Sequence, residues 1–500
     1  MGRGVTSFGG ALARAMVRGC MAVVAASAAF GTATPAAHAG DVEYVGQGTR
    51  ALGRGGAFAA RADDPMALTY NPAAMVDLHG TQLMLNVQNA FYDACVTREG
   101  TYGDNVASNG MTDRFGNFIE YRNVAYPRVC QNNRINPGLW LAVTHRLTDT
   151  IGVGFGLMTP AAAGHLIWGD GKGGTKDGSL PSPVRYQLIE QDIKLVDPTL
   201  GVSVKGADWF RLGISLQWGI ALIKNVNMTA RVGSESPNTD IRSELNAHDL
   251  FVPAAIFSAA FVPHENIDLA LYGRISDDIR AKGDVKVRAG DFQNTALATA
   301  ENDDVTLQSA QPAQFGMGLR YASRSQARVA GERGDPLVSE YWDVELDTTY
   351  VLASQFKAIT LDVPTLPLVL DKGIRTDLKH EWKDQLSIKL GGDFNVMPGV
   401  LALRAGAHYE TSAVDGSYMG IDFQPAQRFG LHLGTTVRFG RLDLSLAYAH
   451  IFQETITVPK SAAAYEQIAD ESPVVVNAGT YASKYDVVSL GATYKFGTLN

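Results

Sequence analysis

The sequence predicts an all-β protein: a transmembrane antiparallel β-barrel of about fourteen strands, preceded by a plug of short helices that sits inside it. Three observations carry that expectation. The amino terminus reads as an export leader. A period of two runs through the carboxy-terminal three-fifths of the 500-residue chain. Short and long joins between the alternating segments themselves alternate, as periplasmic turns and external loops do in outer-membrane barrels.

Arg3, Arg14 and Arg18 form a basic segment, Met21 to Phe30 is apolar, and Ala37-His38-Ala39 has the small-residue spacing of a cleavage site. Residues 1–39 are therefore expected to be a cleaved signal peptide, placing the mature chain in the outer membrane of a Gram-negative type cell. The formal net charge of −8 becomes more acidic once those three arginines are removed, and no basic patch with interleaved aromatics points to nucleic acid. Beyond Cys20, the chain has only Cys95 and Cys130. Export to an oxidising compartment favours a disulfide between them over two free thiols.

Residues 40–79 do not alternate. They are expected to form a plug, rich in glycine and alanine around Gly53-Arg54-Gly55-Gly56. That run lacks the lysine and the strand–helix context of a phosphate loop. Asp64-Pro65 and Asn71-Pro72 each place a capping residue before a proline suited to a first helical turn. Helices over Met66 to Tyr70 and Ala73 to Leu78 would be too short to stand alone and would need packing around them.

The barrel is expected over residues 80–500. Phe210, Leu212, Ile214, Leu216, Trp218, Ile220 and Leu222 alternate with Arg211, Gly213, Ser215, Gln217, Gly219 and Ala221. Successive side chains of a strand point to opposite faces, so one face is apolar and the other small or polar. The same pattern recurs around Phe315, Trp342, Leu386, Phe429, Leu444 and Val488. The strands are on the order of ten residues or longer, matching a tilted membrane crossing rather than a soluble sandwich. Inward charges, among them Arg211, Arg274, Arg320, Asp343, Glu345, Asp347, Lys389, Asp393, Arg404 and Arg438, read first as cross-strand ion pairs that stiffen the wall. The sharper alternative is that one or two of the cations hold a ligand carboxylate. The join Ser323 to Ser339 is long where a short turn is expected.

These features resemble the FadL/TodX family of outer-membrane transporters for long-chain fatty acids and other hydrophobic compounds. The resemblance is carried by Gly53-Arg54-Gly55-Gly56-Ala57-Phe58, Ala62-Asp63-Asp64 and Asn71-Pro72-Ala73 before the first strand, with further matches at Val196-Asp197-Pro198, Arg274 to Asp284 and Ser354-Gln355-Phe356. It implies a hatch containing Gly53, Arg54, Gly55, Asn71, Pro72 and Ala73. It also implies a hydrophobic groove between the third and fourth external loops and a lateral exit where the third strand kinks. By position, the third loop is Asn225 to His248 and the fourth is Gly290 to Asp304. Ile241 and Leu245 on a short helix, with Leu250, Phe251, Phe292, Ala296 and Leu297, would then supply ligand contacts. The kinked strand is Ile151 to Met158, where Gly152, Gly154 and Gly156 make bending cheap. The chain departs from the family in continuing past Phe496, the usual aromatic end, to Asn500, and in its cysteine pair.

The resemblance implies passive uptake of a hydrophobic small molecule, with a general diffusion porin or a structural or adhesin barrel as the competing readings. The expected partners are the bilayer, lipopolysaccharide and the barrel-assembly machinery, with the protein a monomer. No zinc-protease, nucleophile-elbow or nucleotide-binding motif is present, so no enzyme activity, metal or cofactor is expected.

Overall fold

The computed structural model describes residues 46–496, apart from 104–120, 134, 160–163, 230–234, 236–239, 291–295, 329–331, 365–373 and 466–474. The predicted signal peptide and the chain end lie outside these residues.

Fourteen antiparallel strands close into a barrel. They are β1 (Thr81–Arg98), β2 (Asn136–Arg146), β3 (Ile151–Met158), β4 (Glu190–Ala207), β5 (Phe210–Thr229) and β6 (Ile241–His264). The next four are each built from two runs: β7 (Ile267–Ser276, Ile279–Gly290), β8 (Ala296–Ser309, Gln314–Arg324), β9 (Glu340–Val351, Ala358–Val363) and β10 (Ile374–Lys379, Gln385–Met397). β11 (Leu401–Glu410), β12 (Arg428–Phe439), β13 (Leu442–Gln453) and β14 (Gly479–Phe496) complete the wall. Closure is direct. β1 pairs with β2 on one side and with β14 on the other, from Thr81↔Phe496 to Arg98↔Gly479. No main wall edge is left unpaired there, which is what an apolar surrounding requires of backbone N–H and C=O groups.

The alternation sets the faces. Leu83 and Leu85 are 42% and 44% exposed, whereas Gln82 and Asn86, which flank them, are each 4% exposed. A soluble sheet packed on a dry core would show the reverse. The outward face is a belt of Leu, Val, Ile and aromatics, among them Trp218, Phe257, Phe315, Leu390, Leu433 and Tyr448. Short turns such as residues 208–209, 265–266 and 440–441 lie at one end, taken here as periplasmic, and the long connections lie at the other.

The inner face is not uniformly polar. Near the periplasmic end it carries the predicted charges. Toward the external end, Tyr92, Ala94 and Val96 of β1 and Tyr481, Tyr485 and Val487 of β14 form one apolar cluster with Leu166, Trp168, Val184 and Leu188 of the second external connection. That connection therefore turns its apolar side chains into the bore. The structure joins Cys95 to Cys130, which tethers the outer end of β1 to the segment leading into β2.

The hatch has three short turns of helix: Thr49–Gly53 (α1), Ala67–Tyr70 (α2) and a 3-10 turn at Pro72–Asp77. α1 packs on β11 to β14 and β1, and the Pro72–Asp77 turn on β2 to β6, so the hatch is supported from most of the way around the wall. Pro72 takes the first helical position as expected, but Asn71 does not cap that turn. Its Nδ2 instead donates to the Ala59 carbonyl at 2.8 Å, tying the two halves of the hatch together.

Candidate functional site

The hatch is fixed by a row of wall acids. Arg54, fully buried, donates from Nη1 to Asp343 at 3.0 Å and to Asp393 at 2.6 Å, and from Nη2 to Glu345 at 2.9 Å. Asp347 accepts from the backbone N–H of Phe58 and Ala59 at 2.8 and 2.9 Å, and Glu345 from that of Ala60 at 2.7 Å. Asp343, Glu345 and Asp347 are alternate residues of β9, so one strand face aims all three at one hatch segment. Their expected role in wall-to-wall pairing is mostly replaced by wall-to-hatch pairing. Gly55 and Gly56, at φ +68° and +82°, supply the left-handed turn that brings Arg54 to them. Gly391 and Gly406 leave the room, because a Cβ on either would lie 2.1–2.2 Å from the Arg54 backbone.

Above the hatch lies a cavity. Its floor includes Thr69, Tyr70 and Met158; its walls include Asp197, Gln217, Ile256, Tyr272, Arg274, Thr349, Gln385, Ser387, Lys389 and Glu410. Lys389 donates to Thr349 Oγ1 at 3.0 Å, and Arg274 to Gln217 Oε1 at 3.0 Å with Asp197 3.6 Å away. Two of the predicted inward cations, Arg274 and Lys389, thus border open space, whereas Arg320 and Arg404 are absorbed in buried ion pairs. The cavity is far more polar than a groove for a hydrocarbon alone. Nothing in the sequence pattern separates its lining from the rest of the inner face.

The described β3–β4 ladder ends beside this cavity. β3 pairs with β4 from Ile151↔Val204 to Met158↔Asp197. Gly164 to Ile167 also pair with β4, from Gly164↔Ile193 to Ile167↔Glu190. The bend expected at Gly152, Gly154 and Gly156 is not there: those residues sit in regular ladders. A Cβ on Gly152 would lie 2.7 Å from the Val76 backbone, and one on Gly154 would lie 2.9 Å from Met75 Sδ. These two glycines make room for the hatch.

The proposed ligand contacts fare differently. Ile241 and Leu245 are not helical. β5 and β6 extend far past the belt, pairing Thr229↔Ile241 and Asn225↔Leu245. Being four apart on a strand still puts them on one face, and Leu245 joins an apolar cluster with Ile223, Val285, Val287 and Leu307 of the neighbouring hairpins, with Ile241 packed against it. The predicted third and fourth loops are thus largely a raised, inwardly apolar rim of the wall. Leu250 and Phe251 are 57% and 55% exposed, and Phe251 packs edge-on against the outward Trp218 at 4.6 Å. They belong to the lipid-facing belt, because the register shift between Gly219 and Ala221 turns them outward. Phe292 lies outside the described residues, and Leu297 falls on β8.

At the external end, two buried ion pairs, Arg98 with Glu235 and Arg185 with Asp240 (2.7 Å), lock connections to one another. An aromatic group there holds His380, whose Nε2 bonds Asp422 Oδ2 at 2.8 Å. Burial disfavours the charged imidazole, but Asp422 outweighs it and raises the histidine pKa. Asp422 is lowered, its own burial being outweighed by His380. The histidine contribution is full below about pH 6.5 and is lost as pH rises through the raised value. The aspartate contribution is lost only as pH falls through its lowered value. Trp382, stacked on Phe356 at 4.2 Å and beside His380, reports on this pair. Its fluorescence is expected to titrate with a midpoint above about 6.5. That transition should vanish in His380→Gln; a midpoint at or below the ordinary histidine value would contradict the ion pair.

Comparison with known proteins fits this geometry. The family profile described as "Outer membrane protein transport protein (OMPP1/FadL/TodX)" matches residues 335–496. No curated protein matches the chain by sequence. Among solved structures, a Pseudomonas aeruginosa FadL homologue is 16% identical, with a TM-score of 0.67, 92% of this chain covered and 100% of that one. The P. putida toluene transporter TodX is 13% identical, with a TM-score of 0.62 and coverages of 91% and 98%. The CymD monoaromatic hydrocarbon channel is 12% identical, with a TM-score of 0.61 and coverages of 91% and 99%. At such identities these structures share the fold, and the matched segment holds the wall acids Asp343, Glu345, Asp347 and Asp393 that grip the hatch. The chain is thus similar to the OMPP1/FadL/TodX outer-membrane transport proteins, matching their profile over its carboxy-terminal third and sharing the fold of these solved structures, a barrel with an amino-terminal segment inside it.

Proposed function

We propose that the protein takes up a hydrophobic small molecule, a long-chain fatty acid or similar lipophile, passively across the outer membrane. The ligand meets the apolar rim around Leu245, Val285 and Leu307, passes to the cavity above the hatch, and leaves sideways through the wall beside Met158. The observation that carries the reading is that the cavity reaches the end of the described β3–β4 ladder: Met158 and Asp197 both line it and are the last pair of that ladder. Burial of apolar ligand surface gives roughly 25 cal/mol per Å², so capture from water needs no energy input. Arg274 and Lys389 favour a ligand with one polar or anionic end over a bare hydrocarbon. A lateral exit spares the apolar end a passage through the charged hatch. The segment lengths and belt suit the bilayer and lipopolysaccharide as surroundings, and the chain would be exported by its leader and work as a monomer.

The test is uptake of a labelled long-chain fatty acid and of labelled toluene by cells lacking their own transporter of this type. Ser387 is 3% exposed and lines the cavity. Ser387→Trp should fill the space and lower uptake about tenfold while leaving the barrel folded. Undiminished uptake in that variant would remove the cavity from the route. Large, ohmic single-channel currents from the unaltered protein would favour the open-porin reading instead.

A further inference from the structure

The described residues of the long periplasmic join, 325–328 and 332–339, lie beneath the hatch and end in a short helix, Pro336–Ser339 (α3). With the hatch they border a recess on the side away from the lumen cavity. Arg61, Arg320, Arg328, Arg333 and Lys495 border it. The acids that also border it are already paired: Asp63 with Arg50 at 2.6 Å and with Arg61 at 3.1 Å, Asp77 with Arg211 at 3.0 Å, and Asp335 with Arg438 and Lys495 at 2.8 and 2.9 Å. Arg328 itself touches Asp268 at 2.8 Å through Nη2. That carboxylate is shared with Arg320 at 2.8 Å and with Arg324 and Arg333 at 3.7 Å each. One acid thus serves four guanidinium groups.

The consequence falls on Arg328. Its side chain is 5% exposed, yet its Nε and Nη1 have no hydrogen-bond partner among the described residues. Buried charged donors without partners are costly, because the water they gave up is not replaced. Burial, opposed by Asp268 and reinforced by Arg333, holds the Arg328 pKa below the ordinary arginine value. Each of these donors can still give a single charge-assisted hydrogen bond to an oxygen of a carboxylate or phosphate.

We propose that this recess is a binding site for an oxyanion, a carboxylate or phosphate group reaching it from the periplasm and held by a charge-assisted hydrogen bond from the Arg328 guanidinium among the bordering cations. Arg61 belongs to the hatch and Arg333 donates to the hatch carbonyl of Ala60. An anion here therefore strengthens the bond between the periplasmic join and the hatch, on the face opposite the transported molecule. The inference stands apart from what crosses the lumen.

The experiment titrates the purified full-length protein with inorganic phosphate and, separately, with acetate, at constant ionic strength set with sodium chloride. Acetate is too short to occupy the lumen as a lipophile. Saturable heat and a rise in melting temperature are expected, with binding about tenfold weaker in Arg328→Gln. Phosphate alone binding assigns a phosphate-bearing ligand, and acetate alone assigns a carboxylate; either supports the site. No binding above the chloride baseline overturns it, as does unchanged affinity in Arg328→Gln. Should that variant fail to fold, Arg328→Lys keeps the charge but loses the planar guanidinium donors. It is expected to bind about threefold weaker, and equal affinity overturns the proposal.

Discussion

Arg54→Ala is expected to free the hatch and turn a closed barrel into a conducting one. The side chain lies between three wall carboxylates, Asp343, Glu345 and Asp393, and is wholly removed from solvent. Losing one partner of a buried ionic group costs about 3–5 kcal/mol, because the remaining charges stay buried without compensation. The loss is uneven here. Asp393 keeps Arg404 and Arg61, and Asp343 keeps Arg61 and Arg320. Glu345 loses the one cation it pairs with among the described residues. The wall itself has a continuous ladder that does not run through Arg54, so the barrel survives and the hatch bears the damage. Planar-bilayer recording should show stable conductance steps absent from the unaltered protein, and limited proteolysis should cut within residues 46–79. Arg54→Lys keeps a point charge without the fork and should fall between the two. A silent Arg54→Ala channel with an uncut hatch would show that the acid row is not what holds the plug.

Gly213→Val should act on the opposite side of the hatch with a comparable outcome. A Cβ at Gly213 would lie 2.2 Å from the Ala73 nitrogen and 2.3 Å from the Pro72 carbonyl carbon. Neither distance is tolerable, so something must move. The wall cannot easily do so, since Gly213 is paired to Ser203 on one side and Ser258 on the other. The Pro72–Asp77 turn must therefore lift, losing the 2.8 Å bond from Ala73 N–H to Ser258 Oγ. Overpacking of this kind costs about 1–3 kcal/mol before that hydrogen bond is counted. The expected readouts are a lower hatch melting transition and a rise in conductance, larger for valine than for alanine. A Gly213→Val protein with unaltered melting and conductance would mean that the hatch does not press on the wall there.

These two positions show how much was legible beforehand. Arg54 and Asn71-Pro72-Ala73 stood out in the sequence because the hatch breaks the period of two that surrounds it. Asp343, Glu345 and Asp347 stood out as inward charges because they recur at every second residue. What joined Arg54 to Asp343 was not legible, since 289 residues separate them and only the closed wall brings them together. The loop assignments failed for a related reason. Asn225 to His248 looked like a loop because it is polar, yet polar residues continue a hairpin readily once strands as long as β5 and β6 have set its register. Leu250 and Phe251 looked like pocket residues because they are apolar, but a register shift beside Gly219 turns them to the lipid. Nothing local marks Arg328, whose interest lies in how many cations share Asp268.

The sequence by itself determined the wall: strand alternation is a relation between neighbours, and apolar side chains at every second position can satisfy a bilayer only by facing it. It also determined that the segment before the wall would be something other than strand. The tertiary structure alone decided which acids hold the hatch and which inward cations border open space. Those relations link residues far apart in the chain, and they are set by the stagger and curvature with which fourteen strands close, which no short stretch of sequence encodes.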